Sequence, residues 1–253
     1  MKKIAIIPPI PLTSHELNRR LRRYQSQARI GFEVDIRQLK GGPLLTDSEY
    51  DLFWASVYMI LEAEAAEREG FDVVIIDCTA DSGIVEMRQS LNIPVVGALE
   101  AGIEEASKRY PEKKVSILAL DDDWKRMITR QLAAYSLLDS IITVECVGIH
   151  VYHPEKKNGM NQSEIRNFFQ SLCKAGVAAM EAGAEVVVLG STTVIDERDE
   201  LEKYLGIHVI DPGAAALRKA ELLIDKKSTR EDIVSKKESE TRYGDVIRKR
   251  LGL

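Results

Sequence analysis

The feature that most constrains the fold of this chain is a segment that occurs twice. Residues Glu69–Thr79 (EGFDVVIIDCT) align without a gap with residues Ala182–Thr192 (AGAEVVVLGST). In both copies a start of small or acidic residues leads into an aliphatic run, which ends in short polar residues. Such aliphatic runs predict strands that are buried on both faces, as in a parallel sheet. The alignment places Ser191 in the second copy where Cys78 stands in the first.

Two further pairs of segments match in the same order and at nearly the same spacing. Lys2–Ile7 resembles Lys113–Leu118, and Leu91–Val96 resembles Leu205–Ile210. Agreement in order as well as composition indicates a duplicated α/β half rather than a chance likeness of buried strands. We therefore predict an α/β protein with two similar parallel-sheet domains, related by a pseudo-two-fold axis, and with the active site between them.

The repeat also predicts where the two domains begin and end. Residues 1–110 together with 211–253 are assigned to the first domain, and residues 111–210 to the second. The charged tail from Asp225 to Leu253 is expected to be a solvated helical segment that packs against the first half or against a neighbouring subunit of a homo-oligomer.

Composition narrows the class of protein. With 253 residues, 45% of them hydrophobic, the chain is long and apolar enough to bury a real core. A net charge of −5 and an aromatic content of 6% give no support to nucleic-acid binding. No apolar stretch approaches the length of a membrane span. The three cysteines show neither metal-ligand spacing nor a disulfide framework, so we expect a cytoplasmic protein without a metal site.

Cys78 and Ser191 are the candidate reactive groups, because each follows a buried strand. Ligands of open α/β sheets bind at the carboxyl ends of the strands. Cys78 would also lie beside a helix N-terminus, a setting that lowers the pKa of a thiol. Two short polar side chains that flank one cleft suit removal of a proton from one face of a carbon and its return to the other. Loop amides at Thr79–Ala80 and Thr192–Thr193 could hold a carboxylate and stabilise the enolate formed from it. The predicted catalytic pair is Cys78 and Ser191, and the predicted substrate-binding residues are Pro9, Thr79, Ala80, Thr192 and Thr193.

Other polar residues are given structural roles. Asp81 or Ser82 is expected to cap the helix after Cys78. Asp121–Asp123 reads as a capped, solvated turn, which is favoured over a magnesium site. His150 and His153 have no third ligand near them in the sequence, so an ordinary loop role is favoured. We expect the solvated face of the first helix, rather than a substrate site, to carry four arginines: Arg19, Arg20, Arg22 and Arg23.

A family resemblance rests on particular segments. Asp77–Arg88 (DCTADSGIVEMR), followed by Ile93–Ala101, resembles the first catalytic segment of the aspartate/glutamate/hydantoin racemase superfamily, and within it most the hydantoin racemase branch. Val187–Thr193 resembles the second catalytic segment, and Gly41–Pro43 and Ile210–Ala215 also fit. The resemblance implies two α/β halves around one site, no cofactor, and two opposed cysteines as acid and base. It implies a racemase or epimerase that moves a proton at an acidic carbon next to a carboxylate or ring carbonyl, on a small carboxylate or hydantoin-like substrate.

The chain departs from the family pattern at one position. Cys78 occupies the place of the first cysteine, but Ser191 stands in the place of the second. A hydroxyl is a far weaker acid than a thiol and needs a nearby base. Three explanations are open: a substitution made to disable the enzyme, a single-thiol decarboxylase or cis–trans isomerase of a small dicarboxylate, and an inactive carboxylate-binding homologue. Specificity is expected from the loops at 8–14, 41–45, 119–124 and 148–159.

Overall fold

The computed structural model describes residues 1–149, 162–194 and 196–227. In the first half the strands are β1 (Lys2–Ile7), β2 (Phe32–Ile36), β3 (Val73–Ile76) and β4 (Val95–Gly97). They alternate with the helices α1 (Ser14–Gln27), α2 (Glu49–Arg68), α3 (Ile84–Ser90) and α4 (Ala98–Arg109). In the second half the strands are β5 (Val115–Ala119), β6 (Ile141–Cys146), β7 (Val186–Leu189) and β8 (His208–Ile210). Their helices are α5 (Asp122–Ala134), α6 (Gln162–Glu181), α7 (Arg198–Leu205) and α8 (Pro212–Lys227), with a short 3₁₀ turn at Leu138–Ser140.

The two halves have the same topology. Each forms a four-stranded sheet, with strand orders β2-β1-β3-β4 and β6-β5-β7-β8, and all neighbouring strands are parallel. The repeat therefore predicted the fold class correctly. Because equivalent strands occupy equivalent places, the ends of β3 and β7 are matched positions.

The last helix of each half lies against the sheet of the other half. Helix α4 packs against β5, β7 and β8, whereas α8 packs against β3, β4 and α1, and the two helices contact each other extensively. A Cβ atom on Gly102 of α4 would lie 3.0 Å from Cγ1 of Val188, so the small residue permits this close approach. A single apolar cluster consequently contains residues from both sheets and joins the halves.

The domain boundaries remain a prediction. The contacts of α8 with the first sheet support the assignment of residues 212–227 to the first domain. By the same reasoning, α4 would belong with the second domain, which the proposed boundary at residue 110 did not anticipate. The rest of the charged tail, after residue 227, lies outside the described residues.

Both faces of β3 are covered, which explains its uninterrupted apolar sequence. Val73 and Ile75 face the cluster shared by the two halves, while Val74 and Ile76 face the outer layer formed by α2 and α3. All four side chains have no exposed surface. A strand buried in this way has polar residues only where it ends, and there the chain places Asp77 and Cys78.

Asp81 caps α4 rather than α3, contrary to the prediction. The N-cap of α3 is Gly83, with φ of 73° and no side-chain hydrogen bond, so Ser82 does not cap it either. The Asp81 carboxylate accepts hydrogen bonds from two backbone amides in the first turn of α4. That helix begins after Gly97, which has no side chain to serve as its own cap, and a Cβ there would lie 2.5 Å from the Asp81 carboxylate.

Of the helices in the described ranges, none has both the length and the apolarity that crossing a membrane requires.

Candidate active site

Cys78 and Ser191 line the same cavity, at the carboxyl edge of both sheets. Each is the second residue after its strand, because β3 ends at Ile76 and β7 ends at Leu189. The predicted residues Pro9, Thr79, Thr192 and Thr193 also line the cavity, whereas Ala80 is buried and is not part of the lining. The remaining lining residues are Ile10, Arg20, Leu45, Thr46, Asp47, Asp77, Leu120, Asp121 and Trp124.

The cavity has the size of a small ligand. The centre of a water-sized sphere can reach about 80 Å³ of it. A single water needs at least roughly 10–15 Å³, so the cavity has room for several waters or for a small compact molecule between the two halves.

Cys78 is buried, with 4% of its surface exposed. Burial raises the pKa of its thiol to about 12, and the nearby carboxylates of Asp81 and Asp77 act in the same direction. The backbone amide of Ala80 and the charge of Arg20 oppose this rise without cancelling it. The expected lowering of the Cys78 pKa by a helix N-terminus is thus wrong, because desolvation and two acidic neighbours outweigh it. With its pKa raised to this extent, Cys78 is a thiol at neutral pH.

The hydrogen bonds of the Ser191 side chain are made with neutral groups of Thr193. Its hydroxyl accepts a hydrogen bond from the backbone amide of Thr193 at 3.2 Å, and it lies 2.8 Å from the Thr193 hydroxyl. Among the described residues, no basic side chain forms a hydrogen bond with this hydroxyl. Because a serine needs such a base to lose its proton, Ser191 is not activated as a nucleophile or base.

Two reciprocal hydrogen bonds connect the loops that carry Cys78 and Ser191. The hydroxyl of Thr79 donates to the carbonyl of Gly190 at 2.7 Å, and the hydroxyl of Thr192 donates to the carbonyl of Asp77 at 3.1 Å. Each threonine directly follows one candidate catalytic residue, and each carbonyl directly precedes the other. The pseudo-two-fold relation of the halves thus also relates these two hydrogen bonds to each other.

Arg20 is part of a buried ionic network, contrary to its predicted place on a solvated helix face. Its Nη1 lies 2.5 Å from Oδ2 of Asp77, and its Nε donates to Glu16 at 2.8 Å. The hydroxyl of Tyr24 donates to the other oxygen of Asp77 at 2.7 Å. Burial raises the pKa of Asp77, but the charges of Arg20 and Arg23 and the hydrogen bond from Tyr24 outweigh it and hold the pKa below its usual range.

Two more arginines of α1 reach the second half. Arg23 pairs with Asp211, and Arg19 contacts Asp196 at 2.9 Å. Arg22 alone of the four is exposed as predicted. Residues 16, 20 and 23 or 24 recur at helical spacing and could have indicated one buried polar face. The prediction failed because charged side chains are so seldom buried unless they are paired.

Trp124 is a site residue that the sequence interpretation missed. It lines the cavity, and its indole N–H donates to the carbonyl of Gly190 and to the hydroxyl of Thr79. Asp121 accepts a hydrogen bond from the backbone amide of Trp124 and so caps α5 as predicted. Asp121 is only 6% exposed, however, so this turn is not solvated at its first residue.

The specificity loops predicted at 8–14, 41–45 and 119–124 all reach the cavity. They contribute the apolar residues Ile10, Leu45 and Leu120, which together with Trp124 form a largely hydrocarbon wall. Most of the fourth loop, including His150 and His153, lies outside the described residues.

Comparison with known proteins identifies the family. The sequence profile described as Asp/Glu/Hydantoin racemase matches residues 6–220. This chain belongs to the Asp/Glu/hydantoin racemase family. A hydantoin racemase of Paenarthrobacter aurescens is 32% identical over 185 residues, which cover 72% of this chain and 75% of the relative.

Solved structures share the racemase fold. An allantoin racemase from Klebsiella pneumoniae superposes with a TM-score of 0.78 at 21% identity, over 90% of this chain and 89% of that one. An arylmalonate decarboxylase has a TM-score of 0.56 at 19% identity, over 88% of this chain and 92% of that one. The resemblance found in the sequence is confirmed, and it places the chain in a family whose named members include several racemases, which are isomerases.

Proposed function

We propose that this racemase-family member moves a proton at the acidic ring carbon of a neutral, hydantoin-like substrate, with Cys78 as its acid–base group. The observation that carries the proposal is the shared cavity, in which Cys78 and Ser191 lie on loops joined by reciprocal hydrogen bonds. The relative at 32% identity, named a hydantoin racemase, supports the choice of substrate.

The charges of the lining favour a neutral ring over a free carboxylate. The lining contains the carboxylates of Asp47, Asp77 and Asp121, and the one cation among its described residues, Arg20, is bound to Asp77 and Glu16. An anionic substrate would meet a surplus of negative charge in a buried space, where such repulsion is weakly screened. A neutral ring avoids this repulsion, and the wall of Ile10, Leu45, Leu120 and Trp124 suits an apolar substituent on it.

Proton transfer would proceed from the face of Cys78. The small fraction of Cys78 that has lost its proton to solvent would, as thiolate, take the ring proton, and the electron pair of the C–H bond would pass to the adjacent carbonyl oxygen. Hydroxyl groups of the cavity lining, such as that of Thr193, would stabilise the developing negative charge on that oxygen. The new thiol would exchange with solvent and return a proton to the same face. Return to the opposite face would need an acid at Ser191, which has no activating base among the described residues.

The experiment compares two rates for each enantiomer of a 5-substituted hydantoin in D₂O. We expect solvent deuterium to enter the ring carbon of one enantiomer faster than that enantiomer racemises, after subtraction of the uncatalysed rates. Ser191→Cys supplies the missing acid and should raise racemisation by about 10²-fold or more, the usual contribution of a positioned acid or base. Cys78→Ala is the matched control and should lower both rates by about 10²–10⁴-fold. Absence of exchange with every hydantoin and amino acid tried, even in Ser191→Cys, would refute the proposal.

A one-thiol lyase or isomerase that acts on a dicarboxylate is the second candidate. Such a reaction only needs a group that protonates a carbanion from one side. The observation in its favour is that Cys78 is a protonated thiol, while Ser191 has no activating base among the described residues. The acidic lining counts against a dianion. Release of carbon dioxide from a malonate, or cis–trans conversion of maleate, with Ser191 intact would favour this candidate. Tight binding of a carboxylate without any turnover would instead indicate an inactive binding protein.

The proposal includes a cytoplasmic homo-oligomer. Its support is an exposed aromatic cluster on the first turns of α2, where Tyr50 and Phe53 both pack edge-on against Trp54. These rings remain 70%, 61% and 41% exposed in the order Tyr50, Phe53, Trp54. Exposed patches of this kind commonly mark protein contacts. Light scattering of the purified chain and of Phe53→Glu tests this part, since an oligomer built on the cluster should dissociate in the variant.

A further inference from the structure

Helix α1 holds both loops of the site through two arginines one turn apart. Arg20 binds the side chain of Asp77, which directly precedes Cys78. Nη1 of Arg23 donates to the carbonyl of Thr192, which directly follows Ser191, at 3.1 Å. Arg20 lines the cavity, whereas Arg23 lies behind it. Arg23 can therefore act on the reaction only through the residues that it holds.

These contacts close a circuit that passes through both halves. Arg20 holds Asp77, the Asp77 carbonyl accepts a hydrogen bond from the Thr192 hydroxyl, and the Thr192 carbonyl accepts one from Arg23. The backbone of α1 joins Arg23 back to Arg20. Since every link except the helix itself is a directed hydrogen bond, the circuit sets the separation between the loops of Cys78 and Ser191.

The second branch of the Arg23 guanidinium anchors the circuit. Nη2 lies 2.7 Å from each oxygen of Asp211, and Asp211 in turn accepts a hydrogen bond from the Gly213 amide at the start of α8. A Cβ on Gly213 would lie 2.8 Å from Nη2 of Arg23, so the glycine leaves room for the guanidinium. Both charged side chains are only 10% exposed.

We infer that Arg23 is a positioning residue, which places the Ser191 loop relative to Cys78 by gripping Asp211 and the Thr192 carbonyl with one planar fork. A lysine would keep the charge and could still pair with Asp211. It could not hold two acceptors in a fixed plane, because an ammonium group is a compact charge on a flexible stem. The role in turnover rests on the proposed function, whereas the role in holding the loop does not.

The test uses Arg23→Lys, with Arg22→Lys as the matched control, since Arg22 is the exposed neighbour on the same helix. The first measurement is backbone amide hydrogen exchange of the ligand-free chain, followed by mass spectrometry. We expect faster exchange in residues 190–194 of Arg23→Lys, little change in residues 77–81, and no change in either segment of Arg22→Lys. Unchanged exchange in residues 190–194 would overturn the inference, as would an equal rise in both segments.

The second measurement separates positioning from a merely stabilising ion pair. Asp211→Asn removes the charge of the pair but leaves Arg23 able to reach the Thr192 carbonyl. We expect Arg23→Lys, made in the Ser191→Cys background, to lower kcat for racemisation by roughly 10–100-fold with little change in KM, because a misplacement near 1 Å costs about that much. Asp211→Asn should lower Tm but affect kcat less. Equal losses of kcat in the two variants would show that the ion pair alone matters and would overturn the inference.

If Ser191→Cys turns over no substrate, the proposed function fails, and the exchange measurement still decides the role of Arg23.

Discussion

The two halves of the site share a backbone arrangement but differ in charge. In the first half Asp77 precedes Cys78, and its buried carboxylate binds Arg20 and Tyr24. In the second half Gly190 precedes Ser191 and has no side chain, and its carbonyl accepts hydrogen bonds from Trp124 and Thr79. A side chain at Gly190 would clash with the carbonyl of Leu118, so no acid can occupy that position without a shift of β5.

The two halves therefore share a backbone scaffold but hold their candidate catalytic residues with different kinds of side chain. The equivalent helices α1 and α5 each hold the residue before their own catalytic position and the residue after the other one. Helix α1 does so with charged groups and α5 with a neutral indole. We call the first half of the site, with Arg20, Asp77 and the Cys78 thiol, the ionic side. The second half, with Trp124, Gly190 and the unactivated Ser191 hydroxyl, is the neutral side.

The largest expected effect separates Cys78 from Ser191. Cys78→Ala should lower the rate of deuterium incorporation into the substrate by about 10²–10⁴-fold, the range for loss of a positioned acid or base. Ser191→Ala should leave that rate within about threefold, because in our proposal the hydroxyl transfers no proton. Exchange followed by mass spectrometry or NMR gives both numbers. Equal losses of the exchange rate in the two variants would mean that Cys78 and Ser191 contribute equally to proton transfer.

Removing the charge on the ionic side should cost the most stability. Arg20→Met leaves the carboxylate of Asp77 buried without its main partner, which typically destabilises a protein by about 3–5 kcal/mol. Urea unfolding measures the loss. The exposed Arg22→Met is the control and should stay within about 0.5 kcal/mol of the parent. Adding Asp77→Asn to Arg20→Met should recover part of the stability, and a failure to do so would show that packing rather than charge holds this side.

Asp81 gives the first half a dependence on pH. Burial raises the pKa of Asp81 to about 6, above its ordinary 3.8, despite hydrogen bonds from two amides and from Tyr135. The folded chain therefore binds this proton more tightly than the unfolded chain does. The stability from Asp81 is present below about pH 4 and is lost as pH rises through 6, with a span of at most about 3 kcal/mol.

Asp81→Asn should remove that component. Free energies of unfolding measured from pH 7.5 to pH 5 should rise for the parent and stay flatter for the variant. Asp77 and Glu16, whose pKa values are lowered by their arginines, lose stability only at still lower pH. Removing the charge of Asp81 should also lower the pKa of Cys78, which the pH dependence of thiol alkylation reports. Parallel pH curves for parent and variant would contradict the assignment.

The smallest expected effect concerns the neutral side. Trp124→Phe keeps a ring against the cavity but removes the N–H donor to Gly190 and Thr79. Loss of one such hydrogen bond should cost about 1 kcal/mol in urea unfolding, since the carbonyl of Gly190 keeps its bond from Thr79. A loss as large as that of Arg20→Met would remove the contrast between the ionic and the neutral side.

Much of the fold could be predicted from local pattern. The apolar runs predicted β3 and β7, and Asp121 caps α5 as predicted. The positions of Cys78 and Ser191 followed from strand ends, because the rule for parallel sheets depends only on topology. The return of α8 to the first sheet was part of the predicted domain assignment, but the packing of α4 against the second sheet was not predicted, since the helix is simply amphipathic and either sheet offers an apolar face.

The sequence by itself determined the duplication, the parallel sheets and the matched placement of Cys78 and Ser191, because these depend on periodicity and order along the chain. Only the tertiary structure decided that Arg20 and Arg23 are buried, that Trp124 reaches the site and that Cys78 is held as a thiol. Those properties depend on which charges and how much solvent surround a group, and its neighbours in space can be 188 residues away in the chain, as Asp211 is from Arg23.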